Sequence, residues 1–163
     1  MNLNKFTEKA QEAILAAPQL ANELHHAEVE PEHLLVTLAE QADGVVPALL
    51  RKLDTDPAAL VAALREQFAR QPQAHGGAEP HFSPRLRVVI DAAQAEAKAM
   101  QDEYVSTEHL LIGVLAEPGK AGTKDLLAAR GVTRDSVLSG LTAIRGSQRI
   151  MDGDARRDDG ESI

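Results

Sequence analysis

The feature that most constrains this chain is that it is written twice. Glu32-His33-Leu34-Leu35 recurs as Glu108-His109-Leu110-Leu111, a shift of 76 residues. The same shift carries Phe6 onto Phe82, Ile14 onto Ile90, Ala17 onto Ala93, Ala21 onto Ala97 and Val29 onto Val105. Between 6–35 and 82–111, ten of thirty aligned positions are identical, and eight of those ten are apolar. Past Leu111 the register moves by one, so that Leu49, Leu50, Leu60 and Leu64 align with Leu126, Leu127, Val137 and Leu141. Two copies that repeat their apolar positions bury the same face. In a chain of 163 residues neither copy has enough core to stand comfortably alone, so the pair is expected to form one body.

Each copy reads as four helices. The first runs over 6–24, with Phe6, Ala10, Ala13, Ile14, Ala17, Ala21 and Leu24 on one side, Thr7 as N-cap and a kink or broken turn expected at Pro18. Its counterpart opens on Ser83-Pro84, a cap followed by a first-turn proline, and is expected to bury Leu86, Val89, Ile90, Ala93, Ala97 and Met100. The second helices begin after Val29 and Val105, where Glu32 and Glu108 place a negative charge against the positive helix end and Leu34, Leu35, Leu38 and Leu110, Leu111, Val114, Leu115 turn inward. Short third helices follow over 46–53 and 123–130, the latter closed by Gly131 as a C-cap. The fourth start at Pro57 and near Thr133. No strand pattern is present. The expected architecture is therefore all-α, eight helices in two pseudo-twofold-related four-helix repeats. Residues 1–70 form the first, 71–81 a Pro/Gly loop, 82–146 the second, and 147–163 a charged, disordered tail.

Composition excludes several functions. Twenty-five acids against seventeen bases give a net charge of −8, with four aromatic residues (Phe6, Phe68, Phe82, Tyr104). A nucleic-acid binder needs a basic stripe and, for single strands, stacking rings, and neither is written here. The absence of cysteine excludes disulfides and thiolate chemistry and suits a reducing cytoplasm. MNLNKF lacks the apolar run of a signal peptide, and no segment approaches a membrane-spanning length, so no membrane association is expected.

Candidate chemistry is thin. His33 and His109 are single histidines at equivalent helix starts. A helical zinc site needs two at i and i+4, and neither that spacing nor the nearby His25-His26 supplies one. The segment Gly119-Lys120-Ala121-Gly122-Thr123-Lys124 has the wrong glycine spacing for a phosphate loop and no strand before it. The acid pairs Asp102/Glu103 and Asp43/Asp54 could serve a small hydrolase only across a cleft that the sequence does not indicate. The chain is expected to have no catalytic residue, bind no metal and take no cofactor.

The motifs MNLNKFTEKAQEAI, EPEHLL, the Pro/Gly loop, DEYVSTEHLL and AIRGSQR, in that order, resemble the N-terminal domain of the ClpB disaggregase chaperones over residues 1 to about 151. The resemblance implies a double Clp repeat that binds exposed apolar segments of unfolded or aggregated client proteins. It would pass them to the AAA+ module of the same chaperone, a cytoplasmic hexamer whose ATP and magnesium belong to a module absent from this sequence. The isolated domain is then expected to be a monomer. The resemblance carries polar positions onto Thr7, Asp102 and Glu108 and groove positions onto Ala92, Glu96, His109 and Leu110. An alternative is a ClpC-type regulatory module that docks adaptor proteins to a protease-linked motor. No Walker motif occurs, and the tail RRDDGESI stands where a linker to an ATPase would begin.

Overall fold

A capping hydroxyl begins each half of the molecule. In a computed structural model, which describes residues 2–74, 77–117 and 123–145, Thr7 Oγ1 accepts the Ala10 N–H at 3.2 Å and starts helix α1, Glu8–Glu23. Ser83 Oγ accepts the Leu86 N–H at 3.0 Å and starts α5, Pro84–Ala99. Each cap satisfies a backbone donor that the helix itself cannot. Between them lie β1, Glu28–Val29, then α2, Pro31–Ala39, α3, Val45–Lys52, α4, Pro57–Ala69, and β2, His81–Phe82. After α5 come α6, Thr107–Ala116, α7, Thr123–Ala128, and α8, Arg134–Arg145.

Among the described residues the chain is all-α apart from two strands of two residues. Sequence patterning predicts no strand, and a pair this short cannot show a period of two. These strands and one isolated bridge bolt the halves together reciprocally. Val29 pairs in parallel with Phe82, and Phe6 with Val105. The Ser83 N–H donates to Val29 O at 3.0 Å, and the Thr7 N–H donates to Val105 O at 2.9 Å. The 76-residue shift interconverts the two sets. Each copy therefore starts its first helix against the other copy's second, and the duplication is expressed as a pseudo-twofold junction.

One continuous core fills the space between, led by Phe6, Leu34, Leu35, Leu38, Leu49, Leu50, Leu60, Leu64, Leu86, Leu110, Leu111 and Ile112. Each such side chain contributes roughly 1.5–3 kcal/mol on leaving water. The second helices are buried nearly all round because they lie at the centre. In the second copy the approach is closest at Gly113, where an added Cβ would stand 2.4 Å from Val89 O. The aligned residue in the first copy is Thr37, whose hydroxyl donates to Ala13 O at 2.9 Å, so the same contact is made there at wider spacing.

Helix ends repeat as well. His25 and Gln101 take positive φ (57° and 61°) after α1 and α5, as do Asp54 (60°) and Gly131 (76°) after α3 and α7. The Val132 N–H returns to Leu127 O at 2.9 Å, so Gly131 is the C-cap expected of it. The turn at Pro18 is not broken. α1 runs as one element through the proline, which removes a single donor while Ala17, Leu20 and Ala21 around it stay buried. The expected tail over 147–163 lies outside the described residues, as does most of the segment joining α6 to α7. No described helix is long and apolar enough to cross a membrane.

Candidate functional site

The polar positions expected to matter converge at the junction, inside the protein. His109 is the third residue of α6, and its Nδ1 accepts the Ser106 backbone N–H at 2.8 Å, closing the reciprocal half of a capping box. That bond leaves the ring proton on Nε2, which donates to Asp102 Oδ2 at 2.8 Å. Asp102 Oδ1 accepts from Arg145 Nη2 at 2.7 Å. Arg145 Nε lies 3.8 Å from Glu108 Oε2, and the Ser106 hydroxyl donates to the other oxygen of the same carboxylate. Thr7, Asp102, Glu108, His109 and Leu110 are all buried. Thr7 caps α1, Asp102, Glu108 and His109 tie the start of α6 to the end of α8, and Leu110 is core with no exposed surface. Substitution of Leu110 consequently reads out folding before it reads out binding.

The first copy builds the same pocket with different chemistry. His33 Nδ1 accepts the Glu30 N–H at 2.8 Å, so its Nε2–H donates to His26 Nδ1, also at 2.8 Å. His26 stands where the second copy has Asp102, and Phe68 stands where it has Arg145 under the 77-residue register. The Phe68 ring stacks on His33 at 4.8 Å between centroids and 11° between planes, and meets His26 edge-on at 5.6 Å. Burial depresses the His33 pKa to about 4, His26 pushes in the same direction, and the Glu32 charge opposes them. Burial also lowers that of His26, against a hydrogen bond to the Phe68 backbone. An ion pair in one copy is a neutral ring cluster in the other.

Between the copies, Arg85 on α5 gathers three carboxylates. Its guanidinium forks onto Glu32 (2.9 and 3.1 Å) and Glu117 (3.0 and 3.1 Å) and reaches Glu30 at 3.4 Å. Thr123 donates to Glu32 from the start of α7. Burial works against the charged arginine, but the hydrogen bonds and charges of Glu117 and Glu32 outweigh it and hold the guanidinium firmly protonated. Glu32 is thus more than a helix-end charge, being the first copy's contribution to a bridge between repeats.

Ala92 and Glu96 are placed apart from these residues, half-buried along the outer side of α5. Val88, one turn earlier, is 49% exposed. Arg134 at the head of α8 forks onto Glu96 at 2.9 and 3.2 Å. The sequence reading missed Arg85, Glu117, Arg145, His26 and Phe68. A signal for three of them was present, since the register of the duplication pairs His26 with Asp102 and Phe68 with Arg145. Among the described residues, no group of three or more His, Asp or Glu side chains could hold a metal ion.

The profile of the Clp repeat N-terminal domain matches residues 5–130, most of the chain. The chain belongs to the Clp repeat N-terminal domain family. Over 150 residues it is 40% identical to the chaperone protein ClpB of Bdellovibrio bacteriovorus, covering 91% of this chain and 17% of that protein. The Clp repeat described here therefore corresponds to about a sixth of such a relative's length. Its fold is similar to the crystal structure of the Hsp104 N-terminal domain from Candida albicans, at a TM-score of 0.75, 21% identity, and coverage of 91% of this chain and 97% of that one. It is also similar to a ClpV N-domain solved in complex with a VipB peptide, at 0.69, 18% identity, and coverage of 91% and 94%. The duplication read from the sequence is the double Clp repeat. The domain is distinct from an ATPase module.

Proposed function

We propose that this Clp repeat domain captures exposed apolar segments of unfolded or aggregated proteins in the cytoplasm and presents them to an AAA+ motor of the ClpB type. The observation that carries the reading is the 40% identity, over 91% of the chain, to the N-terminal part of a ClpB chaperone. The likeness to a ClpV N-domain in complex with a peptide suits a domain whose business is holding short segments.

The contact surface is the outer stripe of α5, where Val88, Ala92 and Glu96 follow at one-turn spacing. The buried Thr7, Asp102, Glu108 and His109 act on clients indirectly, by fixing the junction on which α5 and α6 stand. A shallow stripe removes a few hundred Å² of apolar surface, worth about 25 cal/mol per Å² before association costs. That leaves binding on the order of tens to hundreds of micromolar. Weak grip suits a domain that must release its client, and several copies on one assembly restore it by avidity.

The test is titration of a fluorescently labelled, casein-like unfolded protein into the domain at low and high salt. The reading expects weak binding that persists at high salt and is lost in Val88→Asp, a variant that disturbs no buried group. Binding that disappears with salt, or that Val88→Asp leaves intact, sinks it.

A further inference from the structure

The histidine pocket of the first copy is fully occupied by neutral hydrogen bonds, and that leaves it no place for a proton. His33 Nδ1 accepts from the Glu30 N–H, His33 Nε2–H donates to His26 Nδ1, and the remaining N–H of His26 is spent on the Phe68 backbone. A proton added to either ring must turn an acceptor into a donor that faces another N–H. Charge added to the His33 ring has no water to move into, because that ring stacks on Phe68 and the residue is wholly buried. The second copy shares the donor clash, since His109 Nδ1 accepts the Ser106 N–H, but not the uncompensated charge. There the His109 Nε2–H meets Asp102, a carboxylate backed by Arg145, and a protonated ring would keep a negative partner.

We propose that the His26–His33–Phe68 cluster is an acid-sensitive latch, confined to the first copy, that holds the end of α4 and the inter-repeat segment against α2. What it fastens is visible in the packing. Phe68 belongs to the last turn of α4. His26, together with His25, Glu79 and His81, lines a cavity of about 330 Å³ under the residues that join the copies. The Ala74 N–H is tied to His25 O at 2.7 Å beside it.

The charged groups around the pocket do not cancel the conflict. Glu32 on α2 favours a charged His33, but it is committed to Arg85 and Thr123. Glu30 is also on Arg85, Glu28 of β1 sits 3.5 Å from His81 of β2, and α4 offers the ring of Phe68. The sign follows from linkage. A ring at about 4 in the folded state and 6.5 when free gives stability that is complete above pH 6.5 and lost as the pH falls towards 4. At pH 4.5 that difference alone weakens the latch by about 80-fold.

The experiment is hydrogen exchange on the whole chain, residue by residue, at pH 7 and pH 4.5 with intrinsic rates corrected. Protection of the last turn of α4 and of Ala74 should fall by about two orders of magnitude, while α5 and α6 keep theirs. In His33→Gln, whose amide still serves the capping box, most of that fall should vanish. In His26→Asp/Phe68→Arg, which copies the second repeat's triad into the first, the pocket should become acid-tolerant. The parent protein supplies an independent reading, because the His33 ring should titrate near 4 by its proton chemical shift. A His33 midpoint near 6.5, equal protection at the two pH values, or the parent's full loss in His33→Gln overturns the proposal.

Discussion

Replacing Gly113 by alanine sets two physical arguments against each other with opposite signs. Gly113 lies inside α6, and a helix-interior glycine costs about 1 kcal/mol relative to alanine, so propensity alone predicts a stabilised protein. Packing predicts the reverse. The new Cβ would sit 2.4 Å from Val89 O and 3.3 Å from Ala93 N, and these are backbone atoms of α5 that cannot rotate away. An ordinary contact requires a retreat of nearly 1 Å, which parts the two helices along their length and opens the core around Leu86 and Ile90. Overpacking of this kind costs about 1–3 kcal/mol, and the rigidity of the obstacle puts this case at the upper end, near 3. After the propensity gain, a net loss of about 2 kcal/mol remains, or a fall in melting temperature of roughly 4–8 °C for a chain of this size. Gly140→Ala is the control, since it carries the same propensity gain but its Cβ would meet Leu49 Cδ1, the movable end of a side chain, so it should not destabilise the protein. Urea denaturation and calorimetry on both variants decide the matter. A Gly113→Ala protein as stable as its parent, or more so, refutes the packing argument.

Three further outcomes follow from the same geometry. Arg85→Ala removes the counter-charge of three carboxylates, two of them nearly inaccessible, and should cost about 3 kcal/mol in urea denaturation, whereas a loss under about 1 kcal/mol would show that the bridge is dispensable. Gln101→Gly relieves a left-handed backbone at the end of α5 and should stabilise by about 0.5 kcal/mol once the added freedom of the unfolded chain is subtracted, so a loss in chemical denaturation contradicts it. We propose that the domain takes no nucleotide, in which case millimolar ATP with magnesium leaves its melting temperature unchanged, and a clear upward shift contradicts this because any ligand of the native state must stabilise it.

What the sequence made legible was whatever the duplication wrote twice. Phe6 and Phe82, Val29 and Val105, the two Glu-His-Leu-Leu runs and the caps Thr7 and Ser83 could be read because each copy checked the other. Contacts between the copies had no such check. Arg85 lies 53 residues from Glu32 and 32 from Glu117, and no periodicity connects positions that only a pseudo-twofold junction brings together. The capping histidines were hidden because a capping box is ordinarily recognised by Glu or Gln at its third position, and here His33 and His109 do that work with a ring nitrogen. Leu110 shows two kinds of reading in conflict. Helical periodicity turns it inward and family likeness puts it in a groove, and its side chain is wholly enclosed. Ala92 and Glu96 carry no strong signal in the sequence, since an alanine and a glutamate one turn apart suit almost any exposed helix.

The central claim is that α5 presents the surface that clients touch, and backbone amide shifts recorded during titration with an unfolded, apolar client segment test it most directly. The account predicts concentration-dependent shifts centred on Val88, Ala92 and Glu96, persisting at high salt, with Asp102, Glu108 and His109 responding only as neighbours. Shifts centred instead on the exposed Leu15 face of α1, or on α3 and α4 with α5 silent, would contradict it.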